Sequence, residues 1–393
     1  MQRKKRIAIY QAMTSGRVKR GPKVFFPTFF QQYTQGEHAF ELFYFIKTNN
    51  PAALRVDYAH HELDHANVIY LREFPTRLHS LFETLELLYK LIRYRIHVFH
   101  VLSYSNRLDP RTQLRWMQWL QSILRIKRVF TVTYDGIPTA HGLRYTGRYN
   151  LDVKYENLFR KIHFHGIYSW YDDFVDWVKT SGVFEKQPLV KCIHSRFCDT
   201  NKYRPESKEQ HIVWASALVD YKRPDMFIQA VAILHAKSAS LFSGWQVTIY
   251  GDGKLKPQYV QMIESLGLQG IIQISSGTNN LAPILNSSSC YVSTQELENF
   301  PSLAMNEAMA AGNVIIACNV GRTSLFVKDG KNGYLARSED AQGIAEALEK
   351  FLTNETQHEA MMKYSRMLCD TVHTPANFIS EIDAFWTELI QKS

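Results

Sequence analysis

Residues 298–312, ENFPSLAMNEAMAAG, set two carboxylates, Glu298 and Glu307, on either side of a short loop that runs into a helix. Pro301 and Ser302 mark the start of that helix, because proline suits a first helical turn and serine caps one. Ala308, Ala310, Ala311 and Gly312 let it pack closely. A helix start presents backbone N–H groups that have no partner inside the helix, and such groups bind anions. Glu307 lies about a turn deeper, where it can accept hydrogen bonds from ligand hydroxyls. This spacing suits a ligand that is both phosphorylated and polyhydroxylated.

The elements that must position this loop alternate regularly. HIVWASA (211–217), WQVTIYG (245–251), IIQISS (271–276), CYVST (290–294) and NVIIAC (313–318) read as strands. Helices are expected at 224–236, 256–266, 281–286 and from Ser302. Strands that are apolar throughout and separated by helices predict a parallel sheet covered on both faces. Two further helices, near 340–352 and 377–391, follow an Asn332-Gly333 turn. The N-terminal half has a weaker version of the same rhythm. Its strand candidates are 6–11, 67–73, 97–103, 128–134, 161–168 and 190–195, with helices at 78–93 and 169–181. The polar segment 201–210 separates the halves. The expected division is 1–200, 201–375, and a terminal helix at 376–393 that packs back on the first domain.

In open parallel sheets, ligands lie beyond the carboxyl ends of the strands. Lys222 and Arg223, which follow the first strand of the second half, could neutralise a diphosphate there. Gly251-Asp252-Gly253 follows the next strand, where glycine lets backbone approach a ligand, although a tight turn explains the same residues. Gly277-Thr278-Asn279 follows the third and could line a base pocket, although turn chemistry explains it equally well.

The composition is that of a globular chain, with 45% hydrophobic and 21% charged residues. No apolar run reaches the roughly 18–20 residues needed to span a bilayer. Five cysteines with no CxxC spacing point to reduced thiols and a cytoplasmic protein. The net charge is +9, and residues 1–36 carry eight cations and no acid. That leaves 38 basic and 37 acidic residues, or +1, for the rest of the chain. The basic end suits an anionic membrane leaflet or a phosphorylated substrate. Nucleic acid is not expected, since no basic motif interleaved with aromatics recurs.

The consecutive pieces SRFCDTNKYRP, IVWASALVDYKRPDMFIQA, VTIYGDG, STQELENFPSLAMNEAMAAGNVIIACNVGRT and KNGYLA resemble the C-terminal half of family 4 glycosyltransferases. The resemblance implies the GT-B fold, an α/β architecture of two Rossmann-like domains facing each other across a cleft. It implies a retaining transferase that uses a nucleotide-sugar co-substrate, UDP- or GDP-linked, with no bound cofactor and no metal. By the same resemblance, Lys222 holds the donor diphosphate and Glu307 the ribose. Glu298 contacts the transferred sugar, and Asn299, Phe300, Pro301, Ser302 and Leu303 line the donor. The acceptor is a sugar or lipid-linked sugar, as in surface polysaccharide or glycolipid synthesis, with the enzyme peripheral at the inner membrane face.

This chain departs from the family pattern at three places. Eight residues rather than seven separate the two glutamates. Ser216-Ala217 replaces a Gly-Arg pair, so one phosphate contact is lost, which Arg223 could supply. Tyr134-Asp135 stands where a His-Asp pair is usual, and a phenol is a poor base near neutral pH. The remaining acceptor or phosphate candidates are Gly16, Arg17, Lys19 and Arg20, in the loop after the first strand, and His163 and His165, which share one face of a strand and point either into the packing of the sheet or toward the cleft. The alternatives are a non-catalytic nucleotide-sugar-binding relative and an epimerase on the same fold.

Overall fold

The computed structural model describes residues 4–13, 22–57, 63–73, 79–102, 122–132, 159–160, 162–194, 197–278, 280–295, 302–336 and 340–392. The chain divides into two compact units, Met1–Ser195 with Pro375–Ser393, and Arg196–Thr374.

The first unit is built on a parallel sheet of strands β1 (Arg6–Ala12), β2 (Glu41–Thr48), β3 (Val68–Arg72), β4 (Val98–Val101), β5 (Lys127–Val132), β6 (Gly166–Ser169) and β7 (Leu189–Cys192), in the order β3-β2-β1-β4-β5-β6-β7. Helices α1 (Pro22–Thr34), α2 (Pro51–Asp57), α3 (His79–Arg93) and α4 (Asp172–Thr180) accompany it. Strands β1 and β2 are buried on both faces, which is why their sequences are continuous apolar runs rather than alternating ones. The run ELFYFIKT of β2 is not among the expected strands, and β6 begins three residues after His163 rather than before it.

A C-terminal helix (Pro375–Gln391) completes this unit. Its Trp386 is fully buried and donates its indole N–H to His100 Nδ1 at 3.2 Å. Nδ1 is thereby the acceptor, so the proton of the neutral ring sits on Nε2, 2.5 Å from Thr131 Oγ1. Burial pushes His100 down to about 3, which keeps the ring in that neutral form. Tyr33 on α1 donates to Asp383 at 2.6 Å. Gly166 makes this docking possible, because a Cβ there would stand 2.9 Å from Phe385 and 3.0 Å from Leu389.

The second unit has its own parallel sheet: β8 (Glu209–Ala215), β9 (Gln246–Tyr250), β10 (Ile272–Ser275), β11 (Ser288–Ser293), β12 (Val314–Cys318) and β13 (Gly333–Ala336). The order is β10-β9-β8-β11-β12-β13. Its helices are α5 (Pro224–Lys237), α6 (Lys256–Ser265), α7 (Ala282–Ser287), α8 (Leu303–Ala310), α9 (Ala341–Thr353) and α10 (His358–Thr371); the C-terminal helix of the first unit is α11. Segment 201–210, expected to be a separator, belongs to this unit and runs into β8. Gly333, expected in a turn, opens β13. A Cβ there would lie 1.8 Å from the Ile315 carbonyl oxygen of the neighbouring strand.

Candidate functional site

The strand order of the second unit reverses between β8 and β11, so the switch point that binds ligands in such sheets lies beyond the carboxyl ends of these two strands. Chain from both converges there. Past β8 comes a single 3₁₀ turn, Asp220–Lys222, which leads into α5. Trp214, near the end of β8, donates its indole N–H to Thr294 Oγ1 at 2.9 Å, just past β11. The Thr294 hydroxyl lies 2.6 Å from the Arg223 carbonyl oxygen and 3.1 Å from that of Lys222. The Lys222 ammonium hydrogen-bonds the Gln295 side-chain oxygen and sits 5.3 Å from the Tyr221 ring centre. A cation on the chain past β8 is thus fixed to the end of β11, its backbone carbonyl through Thr294 and its head group through Gln295.

Arg223 has a partner within its own helix start. Its backbone is left-handed, at φ 49°, and its guanidinium pairs with Asp225 at 2.9 Å. That ion pair holds the group at the start of α5.

The glycines of GDG serve the protein's own backbone. A Cβ at Gly251 would lie 2.2 Å from the Ser216 carbonyl oxygen, and one at Gly253 would lie 2.1 Å from that of Leu218. The two loops are joined by Ser216 N–H to Tyr250 O and Leu218 N–H to Asp252 O, both at 3.1 Å. Asp252 Oδ2 accepts from Gly277 N–H at 2.7 Å and so links the loops after β9 and β10. Close packing of the segment that leads to Lys222 is therefore what requires glycine here. Gly253→Ala is expected to destabilise the chain by about 2–4 kcal/mol in urea unfolding, because a backbone atom cannot move aside. Gly270→Ala is the control, with no atom within 4 Å of the added carbon, and should leave the midpoint nearly unchanged.

Helix α8 starts as its sequence predicts. Ser302 is the cap, its Oγ accepting from Met305 N–H at 3.3 Å, and Leu303 is the first helical residue. Glu307 is half-buried on this helix, where its carboxylate accepts a hydrogen bond from the Tyr203 phenol. Burial raises the Glu307 carboxyl from 4.5 to about 7, while Tyr203 and the nearby Lys202 charge oppose the rise. Tyr203 is itself buried, and its phenol is raised well above its ordinary value by burial and by Glu307.

Tyr203 is not among the residues that the sequence singles out. What holds it is Arg366 on α10, whose Nη1 donates to the carbonyls of Thr200 (3.2 Å), Tyr203 (3.1 Å) and Ala310 (3.0 Å). One guanidinium thus joins the Tyr203 loop to the far end of α8. Lys208 adds a second tie, its ammonium 2.7 Å from the Ala311 carbonyl and 2.8 Å from that of Ser288. The SRFCDTNKYRP piece contains the signal for Tyr203. Nothing local in the sequence points to Arg366.

In the first unit, His163 and His165 lie at the amino end of β6, outside the strand, with ring centres 5.0 Å apart. The Arg128 N–H donates to His165 Nδ1 at 3.1 Å, and the Arg128 guanidinium donates to the His163 carbonyl at 2.8 Å. Burial and the neighbouring Arg128 push His165 down to about 3. This end of the sheet is opposite the carboxyl ends where ligands bind, so the structure does not gather these histidines with a site. Gly16, Arg17, Lys19, Arg20, Tyr134, Asp135, Glu298, Asn299, Phe300 and Pro301 lie outside the described residues.

Residues 196–367 match the sequence model of the family described as Glycosyl transferases group 1. The matched residues lie within the second unit. The chain is 30% identical over 146 residues to the D-inositol 3-phosphate glycosyltransferase of Streptomyces griseus, covering 35% of this chain and 31% of that relative. It is 27% identical over 141 residues to the poly(ribitol-phosphate) alpha-N-acetylglucosaminyltransferase of Staphylococcus aureus, covering 36% and 28%. The chain thus spans about a third of the length of the curated relatives it matches. Over 98% of its length it superposes on the whole of Anabaena HepE, solved in complex with UDP and glucose, with a TM-score of 0.71 and 15% identity. That likeness shows the GT-B fold, two Rossmann-like α/β units in one chain. Tyr203, Lys222, Glu307 and Arg366 all fall inside the matched residues.

Proposed function

We propose that this chain is a retaining glycosyltransferase that moves a sugar from a nucleotide-sugar donor to an acceptor hydroxyl in surface polysaccharide or glycolipid synthesis. The observation that supports this reading is the lysine docked at the β8–β11 switch point, and the capped helix start and half-buried carboxylate that follow β11 in the chain agree with it. The lysine and the α8 amides suit a diphosphate, and Glu307 suits the ribose. In the reaction the bond from the anomeric carbon to the diphosphate oxygen breaks, and a bond to the acceptor oxygen forms on the same face. The acceptor proton leaves with the departing diphosphate or to solvent. Lys222 and the helix dipole stabilise the charge that develops on the leaving group.

The donor is assigned to the second unit and the acceptor to the first. UDP is the favoured base, since the Anabaena neighbour was solved with UDP. Two relatives carry phosphorylated polyols in their names. The eight cations within residues 1–36 suit such an acceptor, or one held at an anionic membrane surface. Among the described residues, no helix is long and apolar enough to cross a membrane.

A thermal-shift series with UDP, GDP and ADP tests the reading. One of them should raise the melting temperature in a concentration-dependent way, equivalent to about 2.7 kcal/mol at a hundred times its dissociation constant. The matching sugar nucleotide should then be turned over with release of that diphosphate. Absence of any shift with all three nucleotides would remove the proposed donor site.

A further inference from the structure

The first unit carries a second cluster of reactive side chains, beyond the carboxyl ends of its last two strands. Strands β6 and β7 run parallel, with Ser169 opposite Cys192. Past β6 the chain turns into α4, whose first residue is Asp172. Past β7 it stays extended, Ile193 N–H donating to Ser169 O at 2.9 Å. Cys192 and His194 therefore point to one side and the buried Ile193 to the other. The turn after β6 brings Asp172 to the same side.

Cys192 Sγ lies 3.3 Å from His194 Nε2, and the same nitrogen lies 3.8 Å from Asp172 Oδ1. All three ligand atoms fall within 4.8 Å of one another. The detail that decides the chemistry is that thiol and carboxylate approach one ring nitrogen. A Cys-His-Asp arrangement for nucleophilic catalysis needs the carboxylate on Nδ1, opposite the nitrogen that takes the thiol proton. Here three donors instead face a common point. Around a tetrahedral zinc ion, with bonds of about 2.3 Å to sulfur and about 2.0 Å to nitrogen or oxygen, donor atoms stand roughly 3.3–3.5 Å apart. The sulfur–nitrogen separation already matches, and the exposed Asp172 carboxylate is the group that must close in.

We infer that Asp172, Cys192 and His194 form a binding site for a transition-metal ion of the zinc class, with a fourth position open to water. A thiolate and an imidazole select such an ion over magnesium or calcium, which prefer all-oxygen sites. The Asp172 side chain is 56% exposed and that of His194 20%, so an ion can enter from solvent. The other four cysteines are all buried, which leaves Cys192 as the accessible thiol. Bound there, the ion ties the end of β7 to the start of α4, and His194 stands one residue before the last of the first unit's N-terminal segment. The inference is independent of the transferase reading.

The test is titration of the reduced, metal-stripped, tag-free full chain with Co²⁺, followed by competition with Zn²⁺. The wild type should bind about one equivalent in a tetrahedral site and show a thiolate-to-cobalt charge-transfer band. Cys192→Ser should lose that band. Asp172→Asn, at an exposed position that tolerates the change, should weaken Zn²⁺ binding by at least about 10-fold, since even outer-shell partners of metal ligands are worth that much. Failure of the wild type to show the band overturns the site, as does a band of equal intensity in Cys192→Ser. If Cys192→Ser fails to fold, unchanged zinc affinity in Asp172→Asn overturns the site in its place.

Discussion

Lys222→Ala is expected to lower the rate of nucleoside diphosphate release by about 10²–10³-fold, with a smaller effect on the donor Michaelis constant. The magnitude is that of removing one preorganised electrostatic contact to a developing negative charge, about 2.7–4 kcal/mol. Two features make Lys222 the residue for this role. Its backbone is fixed through Trp214, Thr294 and the carbonyl of Arg223, and its ammonium is aimed by Gln295 across the switch point. The positioning therefore exists before any ligand arrives, which is what lets a charge act on the transition state rather than on the bound substrate alone. Lys222→Arg should restore donor binding but little of the rate, because a planar fork cannot take the place of a point charge docked on one amide oxygen. Gln295→Ala should cost less, about 10-fold, by loosening the same ammonium. The measurement is steady-state release of diphosphate from the donor that the nucleotide screen identifies. An unchanged turnover number in Lys222→Ala would remove the leaving-group role.

How much of this was legible in the sequence depends on how local each interaction is. Strands β8, β9, β11 and β12 were readable because a sheet covered on both faces leaves apolar runs that no surface helix shows. The capped start of α8 was readable because Ser302 and its acceptor geometry lie within one turn. Strand β2 was lost for the opposite reason. A short apolar run with aromatics has no period that separates a strand from a buried helix, and ELFYFIKT has no turn signal close on its N-terminal side.

The GDG motif shows a different limit. Sequence says that something approaches the glycines closely, but not that the approaching atoms are the carbonyls of Ser216 and Leu218. His163 and His165 were placed on one strand face, but β6 begins only at Gly166, where a Cβ would meet the C-terminal helix. Arg366 was beyond reach altogether. It holds Tyr203 from 163 residues away, and no spacing rule spans that distance.

Glu307→Gln is expected to make the ligand-free chain more stable at pH 8 while weakening nucleotide binding. Burial raises this carboxyl from 4.5 to about 7, so the native chain keeps a proton that the unfolded chain releases between those values. Its contribution to stability is complete below about pH 4.5 and is lost as pH rises through 7, because the unfolded state then binds fewer protons than the native one. At 1.36 kcal/mol per unit, and discounted for the partial exposure of the residue, glutamine should recover about 2 kcal/mol at pH 8 and almost nothing at pH 4. Urea unfolding at the two pH values measures the difference. Binding should move the other way. Ribose hydroxyls donate best to an ionised carboxylate, and a hydrogen bond to a charged group contributes about 1.5–3 kcal/mol, so affinity should fall roughly 10–100-fold in the variant. The wild type should also take up nucleotide more tightly as pH rises from 6 to 8, releasing a proton as it binds, whereas the glutamine variant should show a flat profile. Tyr203→Phe removes the group that helps to hold the carboxylate ionised, and should shift the wild-type profile to higher pH. Equal affinity and equal pH dependence in wild type and Glu307→Gln would overturn the ribose assignment, and the stability measurement would still report whether the carboxyl is buried as described.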